Sequence, residues 1–290
     1  LELAQRQGKT FRIMHYGDSQ IEMDRISSVL RQKLQEFFGG SGPSMIPAVQ
    51  PVSTISVSQS ANNLNRYTII GNTLRASHNR YGVMAQFGQV VGNGSIRFVK
   101  TNNSNAFEKA KEITKVSVLL GRNSNGFTAA LRCDGTAYET KTLPASDSVS
   151  LITWELPTEV ANGTLTFTGN AEIYAVLLDG EPGVAVDNVP LRGCSGTIFT
   201  RINEDIMHQS FDLLDTRLII MQFGGNYMPC VTSTKVISNY MADLEKQIQY
   251  MHRVAPQARM LFIGPSDMGR TTRRFLPELN DSLHVMTQRN

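Results

Sequence analysis

The helical period of this chain starts, stops and restarts, and that interruption limits its possible folds more than any other feature. Residues 11–16, "FRIMHY", read as a short buried strand. Ile26, Val29, Leu30, Leu34, Phe37 and Phe38 then recur at helical spacing within 23–38, until Gly39-Gly40-Ser41-Gly42-Pro43 stops the run. From about 45 to 181 the helical period vanishes. Short β-rich runs replace it at Val116–Leu120, Phe127–Leu131, Leu151–Trp154, Thr164–Thr168 and Ile173–Leu178, separated by turn segments such as Gly121-Arg122-Asn123-Ser124-Asn125-Gly126 and Asn162-Gly163. The alternation resumes with a strand at Gly183–Asn188 and a helix over 203–214. A strand over 216–223, a helix marked by Ile237, Met241, Leu244, Ile248 and Met251, and a last strand and loop at 258–267 follow.

Four strands alternating with helices imply a parallel sheet covered on both faces. The middle block implies an antiparallel β-sandwich or jelly roll. The expected organisation is therefore an α/β domain in two parts, 1–44 and 182–290, interrupted by a β-module at 45–181. With 290 residues, 41% hydrophobic and 18% charged, the chain has the composition of a soluble globular protein. No apolar run approaches the roughly 18–20 residues that span a bilayer. The net charge of +3 is scattered, and its nearest cluster, Arg270, Arg273 and Arg274, reads as a solvated helix end, so no nucleic-acid partner is implied. Cys133, Cys194 and Cys230 form no CxxC pair and are odd in number, which supplies neither a disulfide framework nor a zinc site; no metal or cofactor is implied. The chain begins at Leu1 with no charged leader, which decides nothing about targeting.

In open parallel sheets, ligands bind beyond the carboxyl ends of the strands. Four loops lie there: Gly17-Asp18-Ser19, Gly193-Cys194-Ser195-Gly196, Gly224-Gly225-Asn226 and Gly264-Pro265-Ser266-Asp267. Together they offer a hydroxyl nucleophile, a glycine N–H and an asparagine amide, the groups that acyl transfer to serine needs. Taken alone, Ser19 also suits a turn or helix N-cap, and Gly193, Gly196 and Asn226 suit ordinary loops.

"YGDSQ" followed far downstream by "GCSG" and "FGGN" resembles the SGNH (GDSL-type) hydrolase superfamily of esterases and lipases. The match covers 11–44 and 183–270, roughly half the chain. The resemblance implies a flavodoxin-like fold. It implies Ser19 as nucleophile with its own N–H in the oxyanion hole, Gly196 as the second-block donor and Asn226 as the third. Asp18 would shape the turn. Gln20 replaces the leucine of the GDSL name, and Tyr227 stands where many members carry an acid. The family takes its catalytic Asp and His from an Asp-x-x-His loop near the C-terminus. Asp281-Ser282-Leu283-His284 has those letters, but Phe275, Leu279, Leu283 and Met286 around it fall at helical spacing. The expectation is that this pair lies on a helix covering the sheet and that the chain stops before its own Asp and His, as a fragment would.

An SGNH domain split by a β-module resembles bacterial carbohydrate O-acetylesterases, including those acting on peptidoglycan. That implies a secreted or periplasmic enzyme acting on an acylated small molecule or glycan. A glycan-binding protein with impaired catalysis and an acyltransferase using the same residues are the alternatives. His15, His78, His208 and His252 read as structural, Cys194 as small buried packing, and Trp154 as core of the β-module.

Overall fold

A computed structural model describes residues 7–266 and 273–289; Asp267 and Arg270 lie outside the described residues. Strand β1 (Thr10–Gly17) leads through a 3-10 turn (Ser19–Asp24) into helix α1 (Ser27–Phe38). Eight strands follow: β2 (Ser44–Pro47), β3 (Val57–Thr68), β4 (Gln86–Lys100), β5 (Lys115–Cys133), β6 (Thr136–Ala137), β7 (Lys141–Leu143), β8 (Ser150–Glu155) and β9 (Asn162–Asp179). The chain then alternates again through β10 (Gly183–Pro190), α2 (Glu204–Leu213), β11 (Thr216–Gln222), α3 (Thr234–Val254), β12 (Arg259–Ile263) and α4 (Leu276–Arg289). Strands β10, β1, β11 and β12 form, in that order, an all-parallel sheet, and β2–β9 form a separate antiparallel sheet. The architecture is α/β with an inserted antiparallel module.

Helices cover both faces of the parallel sheet. Helix α1 lies over Ile13, Val184, Val186 and Ile220, while residues of α2, α3 and α4 join the core on the other face. The apolar stripe expected on α1 supplies only part of its inner face, where Leu30, Leu34 and Phe38 pack partly buried on this cluster. Ser27, Ser28, Arg31 and Gln35 are buried, whereas Val29 and Phe37 are 47% and 78% exposed. The reason lies in β10, whose outer edge pairs with no strand among the described residues. Arg31 Nη2 and Nε donate to the Val186 carbonyl at 2.6 and 2.9 Å, and Gln35 Nε2 donates to the Val184 carbonyl at 3.1 Å. Buried edge carbonyls need donors, and α1 supplies them from polar side chains.

Of the turns expected inside the β-module, Gly121–Gly126 is a bulged stretch of one long strand, whereas Asn162-Gly163 opens β9 after the loop over 156–161. Strand β5 runs through Gly121–Gly126 with register shifts against β9, and β9 runs through Gly169 at φ +128. A bulge bends a strand without ending it. The bent sheet encloses its own core, in which Phe98, Phe127 and Phe167 cluster with Val116, Ile152 and Trp154. Trp154 is 3% exposed and donates to the Glu139 carbonyl at 2.7 Å, as a core residue does.

A second cluster runs without a break from the α/β helices into the module. Tyr16 at the end of β1 stacks edge-on against Phe199 and donates to the Val83 carbonyl at 2.9 Å. Below it a buried ion triad ties three strands. Arg12 of β1 meets Asp187 of β10 at 2.9 Å and Asp179 of β9 at 3.0 Å, and Asp187 also accepts the Met45 N–H of β2 at 2.9 Å. The two sheets are thus fastened by polar as well as apolar contacts.

Candidate active site

Asp18 initiates the turn that carries Ser19. Its Oδ1 accepts the Gln20 N–H at 2.8 Å, an Asx contact that bends the chain directly out of β1. Ser19 is half-buried, and among the described residues its hydroxyl has no hydrogen-bond partner. The other carboxylate oxygen of Asp18 accepts the Asn226 Nδ2 amide at 3.1 Å. Asn226 Nδ2 also donates to the Cys194 carbonyl at 3.2 Å. One amide group therefore pins together the loops that follow β1, β10 and β11. All three linked residues belong to the motif blocks, but the sequence assigned Cys194 only a packing role, and the use of its carbonyl as an acceptor was not indicated.

Gly196 is required where it stands. Its φ is +87, and a Cβ there would lie 2.9 Å from the Phe223 ring. Its N–H points to Cys194 Sγ at 3.2 Å, and burial raises the Cys194 thiol pKa, so the sulfur acts as a neutral acceptor. Gly225 brings the third loop beside the first, since a Cβ on it would lie 3.4 Å from Asp18 Oδ2. Tyr227 stacks on Tyr240 with centroids 3.9 Å apart, and Tyr240 donates to the Ser195 carbonyl at 2.7 Å. This aromatic pair supports the Cys194–Gly196 loop from behind.

Beneath the turn runs a buried chain of hydrogen bonds. Asn188 Nδ2 donates to Ser27 Oγ at 2.8 Å and to the Ile21 carbonyl at 2.9 Å. Ser27 Oγ lies 2.9 Å from His15 Nδ1, and His15 Nε2 lies 3.1 Å from Gln222 Oε1. Gln222 Nε2 in turn donates to Gln20 Oε1 at 3.3 Å. The sequence gives His15 a structural role, and these contacts make it the centre of a brace under Ser19–Ile21. Ser27, Asn188 and Gln222 were not legible, because their partners lie far away along the chain.

The brace predicts a pH dependence. Burial lowers the His15 pKa, with the Gln222 contact only partly opposing it, so the native state holds the imidazole neutral. The unfolded chain then takes up the proton first, near pH 6.5, and stability is present above that pH and lost as pH falls through the depressed native value. Denaturant unfolding at a series of pH values will show this acid-side loss, and it will be smaller in His15→Gln. The comparison with the parent separates His15 from His78, whose pKa burial also lowers.

Asp281 and His284 lie on α4, exposed, and His284 Nε2 contacts Gln288 of the same helix at 2.9 Å. Among the described residues no histidine bonds to Ser19, and no cluster of three or more His, Cys, Asp or Glu side chains is arranged to hold a metal. No helix among them is long and apolar enough to cross a membrane.

No family model and no curated protein matches this chain. Solved structures do. One described as a peptidoglycan O-acetylesterase in action matches with a TM-score of 0.73 over 99% of this chain and 78% of its own, at 19% identity. A family two carbohydrate esterase from Cellvibrio japonicus matches over 80% of this chain and 86% of its own, at 8% identity and a TM-score of 0.29. An acetyl xylan esterase from Butyrivibrio proteoclasticus matches over 81% and 87%, at 7% identity and a TM-score of 0.27. The first similarity spans both sheets and carries the fold; the other two are too distant to add to it. The parallel order β10-β1-β11-β12 with its inserted antiparallel module is therefore a fold that this chain shares with the first of these structures, and the three motif loops lie at the carboxyl edge of its sheet.

Proposed function

We propose that this chain carries the nucleophile and oxyanion hole of a serine esterase that removes ester groups, O-acetyl groups in particular, from a carbohydrate or cell-wall glycan. The observation that carries the reading is the junction of three strand-end loops through Asn226, beside a serine whose hydroxyl has no hydrogen-bond partner among the described residues. Ser19 Oγ attacks the ester carbonyl, its proton passes to a base, and the tetrahedral oxygen takes hydrogen bonds from the Ser19 and Gly196 N–H groups and the Asn226 amide. In this structure Asn226 donates to Asp18 and Cys194 O, and Gly196 donates to Cys194 Sγ. Such contacts are exchanged for the substrate oxygen when the site tightens. The exposed Asp281–His284 pair, turned to its own helix, is not the base in this reading. The β-module holds the polymer. The name of the similar peptidoglycan O-acetylesterase supports the glycan as substrate, and a secreted or periplasmic bacterial setting is part of the same reading.

A fluorophosphonate probe tests the nucleophile. Ser19 Oγ attacks phosphorus, fluoride leaves, and intact-mass spectrometry reads one phosphonyl adduct, which peptide mapping places on Ser19. Labelling of the parent that persists in Ser19→Ala assigns the reactivity elsewhere and overturns the reading. An acyltransferase would give the same adduct but would transfer acetyl to an added glycan in product analysis.

A further inference from the structure

Between the Ser19–Asp24 turn and the β-module lies a cavity of about 300 Å³ whose lining includes neither Ser19, Gly196 nor Asn226. Its walls are partly aliphatic, with Met45, Ile70, Met84 and Leu191 inside and the exposed Met23 and Leu74 at its mouth. Three arginines and two carboxylates also face it. Arg31 is paired with Asp24 at 2.7 Å, and Arg192 is paired with Glu22. Arg66 is left over. Its Nε donates to Gln86 Oε1 at 2.6 Å, which fixes the plane of the guanidinium, and among the described residues its terminal nitrogens have no partner. Burial lowers its pKa, and no carboxylate raises it back. The Gln50 side chain lines the same cavity with both amide atoms buried and unbonded. Unmet buried polar atoms such as these are costly unless something in the cavity meets them.

The backbone at the mouth is strained as well. Met23 and Asp24 hold φ of 61 and 67, a left-handed conformation that side chains other than glycine rarely take. The bidentate Asp24–Arg31 pair, itself anchored on Val186 O, keeps them there. Strain held in place by buried ion pairs gathers where a chain must present a surface to a ligand.

We propose that this cavity binds a carboxylate borne on a short aliphatic or sugar arm, with Arg66 as its counter-ion and Gln50 as its second hydrogen-bond partner. A guanidinium with a fixed plane and free terminal nitrogens matches a carboxylate bidentately. The volume accommodates roughly ten water-sized groups, enough for a carboxylate and a short arm. No aromatic ring lines the cavity, so there is no stacking platform for a neutral sugar. The inference rests on the esterase reading in one respect: Glu22 and Met23 share the turn that carries Ser19, so an occupant here selects which ester reaches the nucleophile. The substrate class is then an acidic glycan or the ester of a carboxylate-bearing acid.

Direct binding to the Ser19→Ala protein tests this without turnover. Calorimetry compares hexanoate, as a free acid, with digalacturonate, as a sugar-borne one, and with hexanamide as the uncharged control. At least one carboxylate is expected to bind tenfold or more tighter than hexanamide, and Arg66→Gln is expected to lose that tenfold, about 1.4 kcal/mol. Arg66→Lys retains part of the affinity. Leu74→Trp, at the exposed mouth, blocks entry and serves as an independent variant should Arg66→Gln unfold. Which carboxylate binds distinguishes the free acid from the sugar-borne one. Failure of both carboxylates to bind, or equal binding to the parent, Arg66→Gln and Leu74→Trp, overturns the proposal. Either result leaves the Ser19 labelling intact, and a loss of labelling specificity leaves the binding result intact, so the two failures are separable.

Discussion

Ser19→Ala lowers the turnover of p-nitrophenyl acetate by about a thousandfold or more, the range seen when the nucleophile of a serine hydrolase is removed. The same change leaves stability within about 0.5 kcal/mol, as for a substitution away from any packing or hydrogen-bond feature. Ser19 is half-buried and its hydroxyl bonds to no described residue, whereas the turn is built by the Asp18 carboxylate and the Asn188–Ser27–His15 brace, all of which the variant keeps. The pairing of a large kinetic loss with an unchanged unfolding midpoint separates a nucleophile from an N-cap residue. A cap serine replaced by alanine costs about 1 kcal/mol of stability and has no reason to stop chemistry. Initial rates and a denaturant melt on the same preparations decide between them. Hydrolysis indifferent to Ser19→Ala would remove the nucleophile assignment.

The largest stability effect is expected at Arg12. Arg12→Met leaves Asp179 and Asp187 buried together with no cation, and breaking a buried pair from one side costs about 3–5 kcal/mol. At about 2–4 °C per kcal/mol for a large domain, the thermal midpoint falls by roughly 10 °C. Asp187→Asn costs less, because its amide oxygen can still accept the Met45 N–H and the guanidinium keeps Asp179. Calorimetric unfolding of the two variants gives the order. A midpoint for Arg12→Met within a degree or two of the parent would show that the triad is not what fastens β1 and β10 to β9. The consequence reaches function, because these strands carry the Ser19 and Gly196 loops at their other ends.

Sequence periodicity alone was enough to find the four parallel strands, since each is a short apolar run closed by a glycine loop. It was also enough to place Ser19, Gly196 and Asn226 at the same edge, because chain topology puts the loop after every parallel strand on one side. It found only part of the inner face of α1, the part where Leu30, Leu34 and Phe38 pack on the sheet. Periodicity counts apolar side chains, and this helix spends Arg31 and Gln35 on the open edge of β10. It also cut β5 and β9 in two, because glycine and asparagine mark a bulge and a turn with the same letters.

What the sequence determined by itself was therefore the order of elements and the identity of the motif residues, both written in local pattern. What only the tertiary structure decided was how those residues are held. The Asn226 clasp joins positions 18, 194 and 226, the brace joins 15, 20, 27, 188 and 222, and the cavity brings Gln50 and Arg66 of the β-module against Glu22. Each is a set of contacts between residues far apart along the chain, and such contacts leave no period in a sequence because their spacing is set by the fold.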